Sequence, residues 1–284
     1  MINILVTGAS GQLGHCIRDL SPNYMGFNFI YTDYQELDIC KMDEVIPFFE
    51  SNQVDYCINC AAYTAVDEAE SDVEKSYKIN ALGPKNLASA CARHNAVLIH
   101  ISTDFVFNGN QSVPYTEEDM PEPINVYGAS KLKGEKEIGH TFSEHFIIRT
   151  AWLYSEHGNN FLKTMLRLAK TKEVLSVVND QIGTPTYARD LANVILKLIA
   201  ERKDCYGLYH YSNAGIVSWY DFAKEIFDLS EATVQLNPIK SEEYPTPAAR
   251  PAYSVMNKGK IKDAFSLNIP YWKDSLSTCL SRLK

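Results

Sequence analysis

The chain has 284 residues, 45% of them apolar and 22% charged, a balance that suits one large core or a large domain with a smaller companion and leaves no stretch polar enough to stay disordered. A formal net charge of −8 would repel a nucleic-acid backbone, and no Lys/Arg cluster offsets it, so nucleic acid is excluded as a partner. The apolar run 2–6 is too short for a secretory segment and nothing approaches the roughly 20 apolar residues of a membrane span, which excludes a membrane anchor and points to the cytoplasm.

Short apolar runs alternate with longer amphipathic ones through the first half, the pattern of an α/β fold built on a Rossmann-type doubly wound parallel sheet. Strands are predicted over 2–7, 29–32, 56–60, 97–102 and 146–149, with helices over 11–20, 42–51, 73–94 and 127–138 between them. Two proline-bearing stretches, 114–123 and 238–251, are too irregular for a sheet and read as functional loops. Beyond Trp152 the pattern loosens, with helices predicted over 160–170, 188–200 and 219–229. The reading is a dinucleotide-binding domain over 1–151 and a smaller substrate-binding region over 152–284, partly interleaved with the first sheet and capping a cleft.

Seven cysteines are an odd number without framework spacing, as expected of reduced thiols. Cys57 and Cys60 form a C-x-x-C string, but residues three apart on a strand face opposite sides, so they read as core rather than as a metal or disulfide pair. The seven histidines have no ligand spacing either, and no metal site is predicted.

The segment from Ile4 to Gly14 runs from a strand through a small-residue turn into an amphipathic helix. In that context Gly8 takes the tight turn, Gly11 lets backbone amides approach a pyrophosphate, and Gly14 lets the helix pack on the strand. The helix N-terminus adds a partial positive charge for the anion. Asp33, about 20 residues further on, is placed to bind the adenosine ribose hydroxyls. A carboxylate there would repel a 2′-phosphate, which favours NADH, and Asp38 and Ile39 would flank the adenine.

Thr103 and Asp104 close one predicted strand and Tyr127 opens the next helix with Lys131 one turn on, so that phenol and ammonium share a face. A nearby cation should pull the tyrosine pKa down from about 10, and Thr103 would bond the same carbonyl oxygen. Y-x-x-x-K is a loose pattern, and Tyr220 and Lys224 repeat it. That second copy lies among Trp219, Phe222, Ala223, Ile226 and Phe227 at helical spacing and reads as a packing helix.

These residues resemble the extended short-chain dehydrogenase/reductase superfamily and, within it, the dTDP-4-dehydrorhamnose reductases. The resemblance spans nearly the whole chain: TGASGQLG at the N-terminus, NCAAYTAVDEAE from Asn59, STDFVFNG from Ser102, YGASKLKGE from Tyr127, RTAWLY from Arg149, DQIGTPT from Asp180 and RPAYSVMN from Arg250. It implies reduction of the 4-keto group of dTDP-4-dehydro-6-deoxy-L-mannose to dTDP-L-rhamnose. By the same resemblance Gly11, Gln12 and Leu13 cradle the pyrophosphate, Asp38 and Ile39 take the adenine end, and Ala61, Ala62 and Tyr63 the middle of the cofactor. Tyr127 donates the proton, Lys131 binds the nicotinamide ribose, Thr103 and Asp104 hold the sugar, Trp152 packs against it and Arg250 meets the phosphates. Core packing for Trp152 and a solvated loop for Arg250 are the plain alternatives.

Members of the family accept NADPH as well as NADH, so the resemblance leaves both open. Some bind magnesium through acids that join two subunits, one on the first helix. Here that helix opens Gly14-His15-Cys16-Ile17, without such an acid, which leaves magnesium doubtful and the chain either a monomer or a homodimer. Two other functions compete. An epimerase or 4,6-dehydratase would share the glycine turn, Tyr127 and Lys131, but in the dehydratases a glutamate follows the Thr-Asp pair, where this chain has Phe105. A non-catalytic reductase-like subunit would have no chemical reason to keep Thr103, Tyr127 and Lys131 together.

Overall fold

A computed structural model of the chain describes residues 1–283. Five apolar runs form β1 (Ile2–Thr7), β2 (Phe27–Thr32), β3 (Tyr56–Asn59), β4 (Val97–Thr103) and β5 (His145–Thr150). Gly207–His210 adds a sixth strand beside β5. The spatial order is Gly207–His210, β5, β4, β3, β1, β2, and every pair is parallel. Parallel strands require crossovers, whose helices cover both faces of the sheet. Leu5, Val6, Ile58, Ile99 and Ile148 accordingly have no exposed surface, and each such burial contributes roughly 1.5–3 kcal/mol. The expected Rossmann-type doubly wound sheet is the one observed.

One face is covered by α1 (Gln12–Leu20) and by Ala188–Glu201. Leu13, Cys16, Ile17 and Leu20 form one apolar stripe of α1 and meet the same core as Leu191, Ala192, Ile195 and Ile199. The opposite face is covered through Val45 and Phe49 of Met42–Asn52, Leu87 and Cys91 of Gly83–His94, and Ile138 of Val126–Thr141. A separate core, including Tyr154, Leu162, Tyr187, Phe222, Ile226, Trp272 and Leu276, gathers the helices Phe161–Ala169, Trp219–Ser230 and Trp272–Arg282. Thus Ala188–Glu201 and Gly207–His210 come from the second half of the chain but complete the sheet layer.

Two elements depart from the sequence reading. The stretch 73–94 is not one regular helix: Val73–Tyr77 and Gly83–His94 flank a π turn at Lys78–Leu82. Hydrophobic periodicity does not register one inserted residue, but the turn has a tertiary role. It presents Asn80 to the backbone of Tyr63 and, through Nδ2 at 2.9 Å, to Ser130 Oγ. The irregularity of 238–251 predicts no strand there, yet Pro238 falls within Gln235–Ile239, which pairs in parallel with Val174–Val178. This sheet has only two strands, so each has a free edge, where a residue without an N–H is tolerated.

Candidate active site

The crossover from β1 runs outward to β2 and that from β3 runs the other way to β4, and in such sheets the crevice beyond the strand ends at this switch point is where a ligand binds. Here a cleft of about 1330 Å³ opens, larger than the roughly 300–1,000 Å³ typical of a drug-sized ligand. It has room for a dinucleotide and a second ligand. Gly8 turns the chain at φ +64°, and a Cβ there would lie 2.6 Å from the Ala61 backbone, so the turn accepts only glycine. Gly11 precedes α1 without any side-chain cap, leaving the first helical amides and their partial positive charge for an anion. Gly8, Gly11, Gln12 and Leu13 line the cleft, whereas Gly14 packs against the backbone of Ala9.

Asp33, Asp38 and Ile39, the residues expected at the adenine end, all line the cleft. Asp33 Oδ2 accepts the Ser10 backbone N–H at 2.9 Å and its hydroxyl at 2.5 Å, so this carboxylate also braces the glycine turn. Asp38 is buried and its Oδ1 accepts the Cys40 N–H at 3.0 Å. Ala61 and Ala62 face the cleft, but Tyr63 is not among its lining residues. Its N–H and carbonyl are both taken by Asn80, at 2.8 and 3.0 Å, and its hydroxyl approaches Asp72. All seven cysteines are free; Cys57 packs in the core on one face of the sheet and Cys60 packs on the other, beside the cleft.

The helix Val126–Thr141 begins with an Asn125 cap, whose oxygen accepts the Gly128 N–H at 2.7 Å. Any Cβ on Gly128 would collide with the Phe105 carbonyl, so the helix seats directly on the segment that follows Thr103. That close approach brings Tyr127 to the end of β4, with the Phe105 ring edge-on to it at 5.7 Å. Burial pushes the tyrosine up to about 12, with Thr103 opposing the shift and the adjacent Asp104 adding to it. Asp104 is itself 2% exposed, with Oδ2 unpartnered, and burial raises its carboxyl to about 6.

Lys131 departs from the reading of the spacing. Its Nζ is not directed at the phenol but tied to the Ile101 carbonyl at 2.7 Å and to His100 Nε2 at 3.2 Å, and burial lowers it to about 8. The phenol's shift is set by burial, Asp104 and Thr103, so the expected lowering of Tyr127 by Lys131 is absent. The result is a phenol that keeps its proton at neutral pH. Thr103, Asp104, Tyr127 and Lys131 nevertheless line one cleft with the glycine turn. Tyr220 and Lys224 lie instead on Trp219–Ser230, which buries Phe222, Ala223, Ile226 and Phe227 while Lys224 pairs with Asp228 at 2.7 Å.

The opposite wall holds residues that sequence reasoning missed. The Gln12 side chain accepts from Ser155 Oγ and Asn160 Nδ2, at 3.0 and 2.8 Å, and so fastens the glycine turn to the segment after Trp152. No local signal marks this, because the partners lie more than 140 residues apart. Trp152 adopts φ +48°, uncommon for a bulky residue. Its ring stacks on Trp219 at 3.6 Å and lies where a Cβ on Gly183 would be, which gives the glycine of DQIGTPT a packing reason. Arg250 lines the cleft and is gripped end-on by Asp67, Nη1 to Oδ1 at 3.0 Å and Nη2 to Oδ2 at 2.7 Å.

Past its opening residues α1 does carry an acid, Asp19, which meets Glu156 and His157. Arg282 Nε donates to Glu156 at 2.7 Å, and Arg189 and His157 approach Asp19 at 3.7 and 2.9 Å. Two guanidinium groups already balance these carboxylates, so the cluster does not suit a divalent cation. Among the described residues no helix is long and apolar enough to cross a membrane.

A glycine turn at the switch point of a parallel sheet, with threonine, tyrosine and lysine in the same cleft, defines the class of short-chain dehydrogenase/reductase oxidoreductases. A family model described as the RmlD substrate binding domain matches residues 2–284. The chain is 42% identical to the dTDP-4-dehydrorhamnose reductase of Aggregatibacter actinomycetemcomitans, over 97% of each. Among solved structures it resembles the dTDP-4-dehydrorhamnose reductase of Clostridium acetobutylicum, with TM-score 0.95 and 45% identity over 99% of each chain. It is equally similar in fold to the Bacillus anthracis enzyme of that name in complex with NADP, with TM-score 0.95 and 41% identity over 99% of this chain and 100% of that one. The chain belongs to the dTDP-4-dehydrorhamnose reductase family.

Proposed function

We propose that the protein reduces the 4-keto group of dTDP-4-dehydro-6-deoxy-L-mannose to dTDP-L-rhamnose with NADPH or NADH, Tyr127 giving the proton. The observation that carries this is the convergence of Thr103, Tyr127 and Lys131 on the cleft that begins at the uncapped amides of α1. The reduced nicotinamide supplies a hydride to the ketone carbon when bound. The chain's own groups then do the rest. Tyr127, protonated at neutral pH, donates to the oxygen as negative charge develops on it, and the Thr103 hydroxyl holds that oxygen and the phenol together. Trp152, fixed by Trp219, forms an apolar wall for the sugar. Arg250 keeps its Nε–H and one Nη2–H outside the Asp67 pair, a second fork for the diphosphate. Asp33 and Asp38 hold the adenosine end.

The test is loss of absorbance at the reduced-nicotinamide band on adding dTDP-4-dehydro-6-deoxy-L-mannose, with NADH and NADPH compared. Stoichiometric oxidation is expected. Turnover with catalytic NAD⁺ and no net consumption would replace the reductase by an epimerase or dehydratase.

A further inference from the structure

Behind Lys131 lies a chain of hydrogen bonds whose directions can be worked out from one end. Asn59 Oδ1 accepts the Ala61 backbone N–H at 3.2 Å and the Thr7 hydroxyl at 2.8 Å. A backbone N–H can only donate, so it fixes which way the amide faces and turns Asn59 Nδ2 toward His100 Nδ1, at 2.9 Å. Nδ2 has only hydrogens to offer, so His100 Nδ1 is the lone-pair acceptor. His100 has no exposed surface, and burial holds its pKa well below 6.5. It is therefore neutral, and its single proton sits on Nε2, facing Lys131 Nζ at 3.2 Å. An ammonium there would set N–H against N–H. An amine donates to the Ile101 carbonyl and accepts from His100.

The other groups around Nζ do not demand a cation. Glu135, one turn along the same helix, has both oxygens committed to Arg149, at 2.9 and 2.7 Å, and one also to Ser102. Cys60, at the end of β3, has its thiol pushed far up by burial and stays neutral. Tyr127, one turn back, is protonated, and Asp104 at the end of β4 bears on the phenol. Burial lowers Lys131 itself and outweighs the opposing pull of Glu135 and Cys60.

We propose that His100 is a positioning residue that, above neutral pH, holds Lys131 as an uncharged amine in the free enzyme, and that a bound dinucleotide, bringing anionic phosphates and ribose hydroxyls, makes it an ammonium. Cofactor binding then takes up one proton from solvent. The amine lone pair that His100 Nε2–H occupied receives it, and that hydrogen bond breaks or His100 changes tautomer. The second half of the inference rests on the cofactor reading above; the first does not.

Two measurements test it. In the free enzyme, long-range ¹H–¹⁵N spectra of ¹⁵N-histidine protein, with His100 identified by its loss in His100→Phe or by sequential assignment, should show Nε2 protonated and Nδ1 bare. An Nδ1–H tautomer or an imidazolium would overturn the proposal whatever the cofactor does. Calorimetric titration with NADPH at pH 9, in buffers of different ionisation enthalpy, should show uptake of about one proton by linkage. His100→Gln, whose side-chain oxygen can accept from Lys131 Nζ and so favours the charged lysine beforehand, should bind with that uptake reduced. Binding without proton uptake by the natural protein, or equal uptake by His100→Gln, would refute it. Absence of any binding would reject the dinucleotide reading instead, while the free-enzyme spectra still decide the tautomer.

Discussion

Asp104→Asn should make the protein more stable at neutral pH while changing the site. The acid is 2% exposed with one oxygen unpartnered, and burial raises it from 3.8 to about 6. Each pH unit corresponds to about 1.4 kcal/mol, so holding the ionised group destabilises the fold by about 3 kcal/mol at pH 7.5. A folded-state pKa above the unfolded one means that the native state binds the proton more tightly. The penalty is thus absent well below 3.8, grows through the interval and is complete above about 6. Asparagine removes it at every pH and keeps an acceptor for Thr103, which bonds Oδ1 at 3.1 Å. It also leaves an amide N–H where Oδ2 now lacks a partner, at about 1 kcal/mol. The net gain is about 2 kcal/mol at pH 7.5, falling to near zero by about pH 4.5. Urea unfolding of both proteins at the two pH values measures it. A difference that does not change with pH, or a variant less stable at pH 7.5, would refute the reasoning.

Tyr127→Phe should lower kcat at least ~100-fold, the lower end of a general acid's contribution, while calorimetry shows nearly unchanged cofactor affinity; an unaltered rate would remove the proton-donor role. Gly128→Ala forces a methyl group against the Phe105 carbonyl and should cost about 1–3 kcal/mol in denaturant unfolding, with turnover reduced because the same contact seats Tyr127. Glu135→Gln strips the charge that meets Arg149 at 2.7 Å, both side chains being at most 7% exposed, and should destabilise by about 3–5 kcal/mol. A loss under 1 kcal/mol in thermal or chemical unfolding would mean that the pair is not energetically coupled to the fold.

Which parts were legible in the sequence follows from how local their causes are. The turn from β1 into α1 needs Gly8 and Gly11 within a few residues of one another, and the five first-half strands announce themselves as apolar runs because both faces of a parallel sheet are covered. Tyr127 and Lys131 are one helical turn apart, so their shared cleft could be read from spacing. The electrostatic consequence could not: Lys131 turns to His100 and Ile101, and those partners belong to β4, some thirty residues away in sequence. The Asn80 contacts to the Tyr63 backbone were hidden for a similar reason, since the π turn that makes them leaves no periodic trace.

From the order of its residues alone the chain commits to alternating strands and helices, an anion-binding turn and a tyrosine–lysine helix, because each of these depends on torsions and contacts within a few residues. Folding in three dimensions decided the rest. It joined Gly207–His210 to the first sheet, bound Gln12 to Ser155 and Asn160, pinned Trp152 between Trp219 and Gly183, and set the protonation of Tyr127, Asp104 and Lys131. Burial and long-range partners govern those properties, and both exist only once the cleft has closed around them.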